Sequence, residues 1–249
     1  MRRLLGASIS QFGLKLIATL CMLCYVVSTT VLQYGVLRLD ETDSQSLLQS
    51  MAGGSSTMGI ATLAVFLELL AGVALSIFSF LLVEGFLKTA DYKAYLIRIL
   101  AFSIISELPF DYARARTYFA FDSQNPMFAL AVGLILLYGI RMVQSDYKKH
   151  IMACACMLIA ALAWCYLLRI QFGLFTILLI FVYYILRNSH GWRIFAGVIV
   201  SLPMVTGIFA IYPLFIYSGK RGVEYNKYLF YLAYPLSLVI CSLICMQIR

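Results

Sequence analysis

Eight charge-poor runs follow one another along this 249-residue chain, at about 14–36, 58–83, 94–108, 126–142, 151–168, 172–186, 194–217 and 227–247. A bilayer core about 30 Å thick takes about 20 apolar residues as a helix, and shorter runs suffice inside a bundle. The third and sixth runs are short and the second is long. With 63% of the residues hydrophobic and 12% charged, against about 45–50% and about 25% in soluble domains, the chain cannot hide its apolar side chains from water as a soluble globule. The polar composition that disorder requires is missing too. The expectation is an all-α fold, a polytopic integral membrane helical bundle of about eight transmembrane helices in one domain over residues 1–249.

Eight spans would place both termini on one side. Cytoplasmic loops retain Lys and Arg, so alternate loops give the orientation. One set holds Arg2, Arg3, Lys15, Lys88, Lys93, Arg98, Arg141, Lys148, Lys149, Arg187, Arg193 and Arg249; the other holds Arg38, Arg114, Arg116, Arg169, Lys220, Arg221 and Lys227. Twelve against seven, the 19 cations of the sequence predict both termini in the cytoplasm, with the last outer loop as the exception. The net charge of +8 then reflects topology; there is no basic patch with interleaved aromatics, and nucleic acid is not expected as a partner. The first run is too long for a signal-peptide core and lacks a small-residue cleavage site, so no cleaved leader is expected. The polar stretch 38–57, with Asp40, Glu41 and Asp43, reads as an outer loop made pliable by Gly53 and Gly54.

Ionisable groups within spans are costly and mark function by default. Glu68 sits within the second run, facing either a polar cavity or an interhelical hydrogen bond. Glu84 and Gly85 close that run. Lys88, Lys93 and Arg98 follow, as anchors at the cytoplasmic face or as cations for the phosphates of an anionic donor. Glu107 and Asp111, four apart, would share a helix face, but Pro109 between them is expected to disturb that geometry. They are candidates for acid–base chemistry, or for steadying a turn with Arg114 or Arg116. Near the end, Tyr217, Tyr228, Tyr231 and Tyr234 flank Lys220, Arg221 and Lys227, as an interfacial aromatic belt or as the mouth of an anion-holding cavity.

Seven cysteines fall within predicted spans, including Cys21 and Cys24, and Cys154 and Cys156. With only His150 and His190 beside them, complete metal-ligand sets are lacking. No metal is expected, and the thiols read as small packing residues. There is no nucleophile elbow, phosphate-binding loop or dinucleotide fingerprint.

The segments LKLIATLCML (14–23), SIFSFLLVEGFLKT (76–89), YLIRILAFSIISELPFD (95–111), QNPMFAL (124–130), YSGKRG (217–222) and KYLFYLAYPLSL (227–238) stand in an order that resembles the TraX family. Those multi-span proteins are named for a conjugal-transfer protein implicated in N-terminal acetylation of pilin, and are related to membrane-bound acyltransferases. The resemblance implies a single TraX-like transmembrane domain in the inner membrane. It also implies acetyl-CoA as donor and an amine or hydroxyl acceptor such as pilin or an envelope component.

The chain departs from the family where chemistry matters. The family's Asp-His after Met-Leu in the first span becomes Cys24-Tyr25. Its Tyr-Pro-Leu-His-Leu becomes Tyr234-Pro235-Leu236-Ser237-Leu238, and its Asp-Tyr-Gly becomes Gln171-Phe172-Gly173. Imidazole is the side chain best suited to proton transfer near neutral pH, and losing a general base costs about 10²–10⁴-fold. The residues that remain are Glu107 or Asp111 as base, with Glu84, Arg98, Gln124, Asn125, Lys220, Arg221, Tyr231 and Tyr234 for substrate and cofactor. Two alternatives stand beside an acyltransferase. One is a catalytically degenerate partner or regulator in conjugation or envelope machinery. The other is a small-solute transporter, disfavoured by the lack of an inverted repeat and of a broken-helix signal around Glu68. An active site further requires spans one, three and eight to converge on one polar cavity.

Overall fold

A computed structural model describes residues 8–39, 54–143, 147–223 and 228–248. The regular structure of the described residues is helical, apart from two isolated parallel bridges, Ile9 to Tyr217 and Gln124 to Ile170. The outer loop expected at 38–57, with Asp40, Glu41 and Asp43, lies almost wholly outside them, as does Lys227.

Helix α1, Gln11–Val26, is capped by Ser10, whose Oγ accepts from the Gly13 amide at 3.3 Å. It runs on into wider π-helical turns over Val27–Val36, where the Leu37 amide reaches back five residues to the Leu32 carbonyl. Helices α2 (Ser55–Leu69) and α3 (Ala71–Lys88) form the second run, separated by one tight turn at Leu70. Helix α4, Tyr92–Ala115, starts on Asp91, which caps the Ala94 amide at 2.9 Å, and ends at left-handed Arg116. Then come α5 (Met127–Met142), α6 (Tyr147–Leu167), α7 (Gly173–Ile185) and α8 (His190–Ser201). A 3₁₀ segment over Leu202–Ala210 leads to α9 (Ile211–Phe215), and α10 (Tyr228–Ile248) closes the chain.

By length and apolarity, five stretches could cross a membrane: Gln11–Val36, Ser56–Lys88, Lys149–Leu167, His190–Phe215 and Tyr228–Ile248. Met127–Met142 and Gly173–Ile185 are apolar but shorter. The lipid-directed character is plain from Leu20, Phe66, Ile97, Ile104, Trp164 and Phe209, all large, apolar and exposed. A core of Leu14, Ile77, Phe80, Val83, Leu137, Ile177, Ile180 and Tyr183 binds the helices together.

Two ends of the bundle can be told apart by contacts. At the near end Phe12 meets Phe230, Gly85 meets Tyr95, Tyr92 stacks on Tyr138, and Phe86 meets Tyr184. At the far end Gly35 meets Cys245, Glu107 meets Asn125, and Gln124 pairs with Arg169 and Gln171. Helices α1 and α10 are therefore parallel, and α10 finishes at the opposite end from where α1 begins.

The segment expected to span at 194–217 does not traverse the bundle. It enters at the near end, where Arg193 pairs with Glu84, and rises until the Thr206 hydroxyl donates to the Leu69 carbonyl. It then turns and comes back, so that His190 Nε2 lies 3.3 Å from the Phe215 carbonyl. Non-helical Met204 and Val205 (φ 46°) make the turn. Close packing permits the return: a Cβ at Gly207 would fall 2.5 Å from Ser201 Cβ, and one at Gly72 would fall 2.9 Å from the Gly207 nitrogen and the Met204 oxygen. Small residues allow such approach between membrane helices.

This fold-back corrects the expected topology. Lys220 and Arg221 belong to the near end, where their carbonyls accept from the Gln11 and Phe12 amides at 2.8 and 3.2 Å. Lys88 Nζ reaches the Tyr217 hydroxyl and the Gly219 carbonyl, each at 3.4 Å. The termini of the bundle thus lie at opposite ends, because one of the eight runs makes no net crossing. Two further expectations change. Pro109 sits inside α4 without ending it. The second run is interrupted at Leu70, directly after Glu68, although its sequence carries no breaker there.

Candidate functional site

Helices α1, α3, α4 and α10 leave an apolar cavity of about 310 Å³ between them. Its near-end mouth carries Gln11, Lys15, Thr89, Tyr95 and Arg98. Lys15 Nζ lies 5.7 Å from the Phe230 ring centre, and the Arg98 guanidinium 5.9 Å from that of Tyr95. Arg98 Nε is buried with no partner among the described residues. The walls are Leu75, Phe78, Leu81, Leu82 and Leu130, and the inner limit is set by Tyr25, Phe172 and Tyr234.

A second cavity of about 170 Å³ lies toward the far end and is polar: Gln33, Tyr34, Glu68, Arg114 and Gln171 line it with Thr29 and Thr30. Tyr25 and Tyr234 line both cavities. The Tyr25 ring meets Phe172 edge-on at 6.0 Å. Tyr234 is 4% exposed, and its hydroxyl has no partner among the described residues. Buried hydroxyls are nearly always paired, so an orphan on a residue that lines both cavities is a candidate donor for a ligand oxygen.

Spans one, three and eight do converge, as α1, α4 and α10, on this polar space. Of the residues expected from sequence, Arg98, Tyr231 and Tyr234 line the large cavity, with Tyr231 stacked on Phe102 at 5.3 Å. The others are placed elsewhere. Glu107 and Asp111 line neither cavity; both turn to the loop before α5. Glu107 Oε2 accepts from the Asn125 amide at 3.2 Å and from its side chain, and Asp111 Oδ2 accepts from the Ala120 amide at 2.9 Å. Each carboxylate keeps one buried oxygen without a partner among the described residues.

Asn125 itself is a cap and a strut, accepting from the Met127 amide and donating to the Ser103 carbonyl at 2.8 Å. Gln124 ties its loop to residues 169–171 through its backbone. Glu84 lies outside the cavities and serves a buried ion-pair network, 2.8 Å from Arg193 and 3.0 Å from Lys88. Lys220 and Arg221 are exposed on the near-end surface.

Sequence reasoning did not single out Gln11, Lys15, Tyr95, Gln33 or Arg114 as site residues. Tyr25 and Gln171 were visible only as departures from the family pattern, yet Tyr25 lines both cavities and Gln171 the polar one. The third departure, Ser237, is one turn behind, donating to the Tyr234 carbonyl at 2.7 Å. Glu68 satisfies both of its expectations: it accepts from Gln33 Nε2 at 2.7 Å and lines the polar cavity. Among the described residues no three of His, Cys, Asp and Glu are grouped to hold a metal ion. All seven cysteines are free, with Cys154, Cys165, Cys241 and Cys245 buried.

No curated protein and no solved structure matches the chain. The model of the family described as TraX protein matches residues 10–245, somewhat more than the 14–238 bracketed by the sequence motifs, and takes in every residue that lines the two cavities. The chain belongs to the TraX family.

Proposed function

We propose that this protein is an acyltransferase-type member of its family, moving an acetyl group from acetyl-CoA to an amine or hydroxyl acceptor such as pilin or an envelope component. The observation that carries this reading is the apolar cavity leading from a cationic mouth to an unpartnered, buried Tyr234 hydroxyl. Lys15 and Arg98 suit the phosphates of a coenzyme A ester, and the apolar walls suit its pantetheine arm. The near end then faces the cytoplasm of an inner-membrane protein. Eleven of the fifteen described Lys and Arg residues lie there, with only Arg38, Arg114, Arg116 and Arg169 at the far end.

In the reaction the acceptor attacks the thioester carbonyl and the carbon–sulfur bond breaks. The acceptor proton passes to a carboxylate and on to the departing thiolate. Tyr234 donates to the carbonyl oxygen as it gains charge, the kind of preorganised donor worth about 10²–10³-fold in rate. This reading gives the proton to Glu107, which keeps a buried oxygen without a partner among the described residues, with Asp111 one turn on as the alternative.

A second reading, a degenerate member that binds without turnover, is favoured by one observation: Tyr25, which lines both cavities, and Gln171, which lines the polar one, stand where the family pattern carries His and Asp. Purified protein in detergent, given labelled acetyl-CoA, separates the two. Hydrolysis or acceptor acetylation that falls by about 10²-fold in Tyr234→Phe or Glu107→Gln supports the enzyme. Binding that weakens in Arg98→Gln, with no turnover in any form, supports the degenerate partner. Absence of both overturns the donor assignment.

A further inference from the structure

The polar far-end cavity contains one fixed anion and one cation that do not meet. Glu68 is held by Gln33 Nε2 at 2.7 Å, and the same amide lies 3.4 Å from Ser28 Oγ, which donates to the Ala64 carbonyl at 2.6 Å. This chain of bonds ties the carboxylate between the π-helical turns of α1 and helix α2. Arg114 faces the same space from the last turn of α4 and has no carboxylate within ion-pair distance among the described residues. The orphan Tyr234 hydroxyl and the unpartnered Gln171 Oε1 are polar atoms in the same wall. A carboxylate and a guanidinium that line one cavity without pairing, with hydrogen-bonding groups in the same wall, match a ligand that carries both charges itself.

We infer that this cavity is a binding site for a small zwitterion, a primary ammonium joined by a short link to a phosphate or carboxylate. Glu68 receives the ammonium and Arg114 the anion. A volume of about 170 Å³ holds such a head group and no more. Because Tyr25 and Tyr234 also border the larger cavity, a ligand here lies next to the inner end of the donor space. Its role as acceptor rests on the acyl-transfer reading; its binding does not.

The test is calorimetric titration of the full chain in a phospholipid-free detergent. The probes are O-phosphoethanolamine and β-alanine, with ethanolamine and inorganic phosphate as single-charge controls. The expected result is that at least one zwitterion binds about tenfold or more tighter than either control. Glu68→Gln and Arg114→Gln should each weaken it by about tenfold, the size of one lost charge-assisted hydrogen bond. Glu68→Gln keeps a partner for Gln33, and Arg114 is exposed, so both variants should fold; Lys220→Gln, at the other end, should bind as the parent does. Equal binding of phosphate alone, or titrations unchanged in both variants, overturns the proposal. Nanodiscs of phosphatidylethanolamine, compared with phosphatidylglycerol, identify the source: a lipid head group in the site suppresses probe binding only in the former. Protein that binds labelled acetyl-CoA but none of the probes overturns this inference alone, and the converse overturns the donor assignment alone.

Discussion

Arg193 keeps its charge at 4% exposure by three means: the Glu84 carboxylate at 2.8 Å, the Phe80 ring 4.1 Å below its guanidinium, and the Tyr183 ring at 5.9 Å. Removing one partner of a buried pair strands the other, at a cost of about 3–5 kcal/mol. Lys88 still neutralises Glu84 here, so Arg193→Met should lower stability by about 3 kcal/mol, and adding Glu84→Gln should recover part of it; thermal unfolding in detergent reads both. Tyr234→Phe should behave in the opposite way. Its hydroxyl has no partner to lose, so stability should hold within about 1 kcal/mol while acyl turnover falls. A large loss of stability in that variant would make the hydroxyl structural and remove it from the site. Both residues show what single positions disclose. An acidic residue beside basic ones reads alike whether it awaits a ligand or an arginine from a distant helix, which is why Glu84 was expected in the site and Arg193 was not. Tyr234 was legible because it sits in a motif; the emptiness around its hydroxyl is a property of packing and has no local signature.

At the scale of elements, the positions of the helices were legible in the sequence because length and apolarity set them. The direction of travel was not. An apolar run of 24 residues reads alike whether it crosses or doubles back, and the reversal is made at Val205, a β-branched residue at φ 46° between Pro203 and Gly207. What makes the reversal possible is glycine. A Cβ on Gly197 would fall 2.4 Å from the Tyr183 ring, and one on Gly72 would meet backbone atoms of the returning segment. Gly197→Ala should therefore destabilise by about 1–3 kcal/mol, as overpacking does. Gly59→Ala, in a helix where a Cβ meets nothing within 4 Å, should stabilise by about 0.5–1 kcal/mol. If the two shift thermal unfolding equally, close packing of the hairpin is not what holds it.

For the molecule as a whole, the fold-back explains an imbalance that the linear reading left as an exception. Lys220 and Arg221 sit with Lys88 at the cation-rich end, and α10 runs from that end to the other. Cysteines introduced at Lys220 and Lys88 should be labelled by an impermeant maleimide from the same side, and a tag placed after residue 249 should be protected on that side. Labelling of the two cysteines from opposite sides would restore eight full crossings. The through-bundle arrangement of the two cavities was legible only in outline: the sequence named the helices that converge, but a cavity is what side chains fail to fill, and Ala71, Ala74 and Gly85 give no sign of it singly. The hairpin also bears on how the chain is made. A segment that enters and leaves on one side spares the insertion machinery from carrying Lys220 and Arg221 through hydrocarbon, so the next passage after α7 is that of α10, free of Lys, Arg, Asp and Glu from Tyr228 to Ile248.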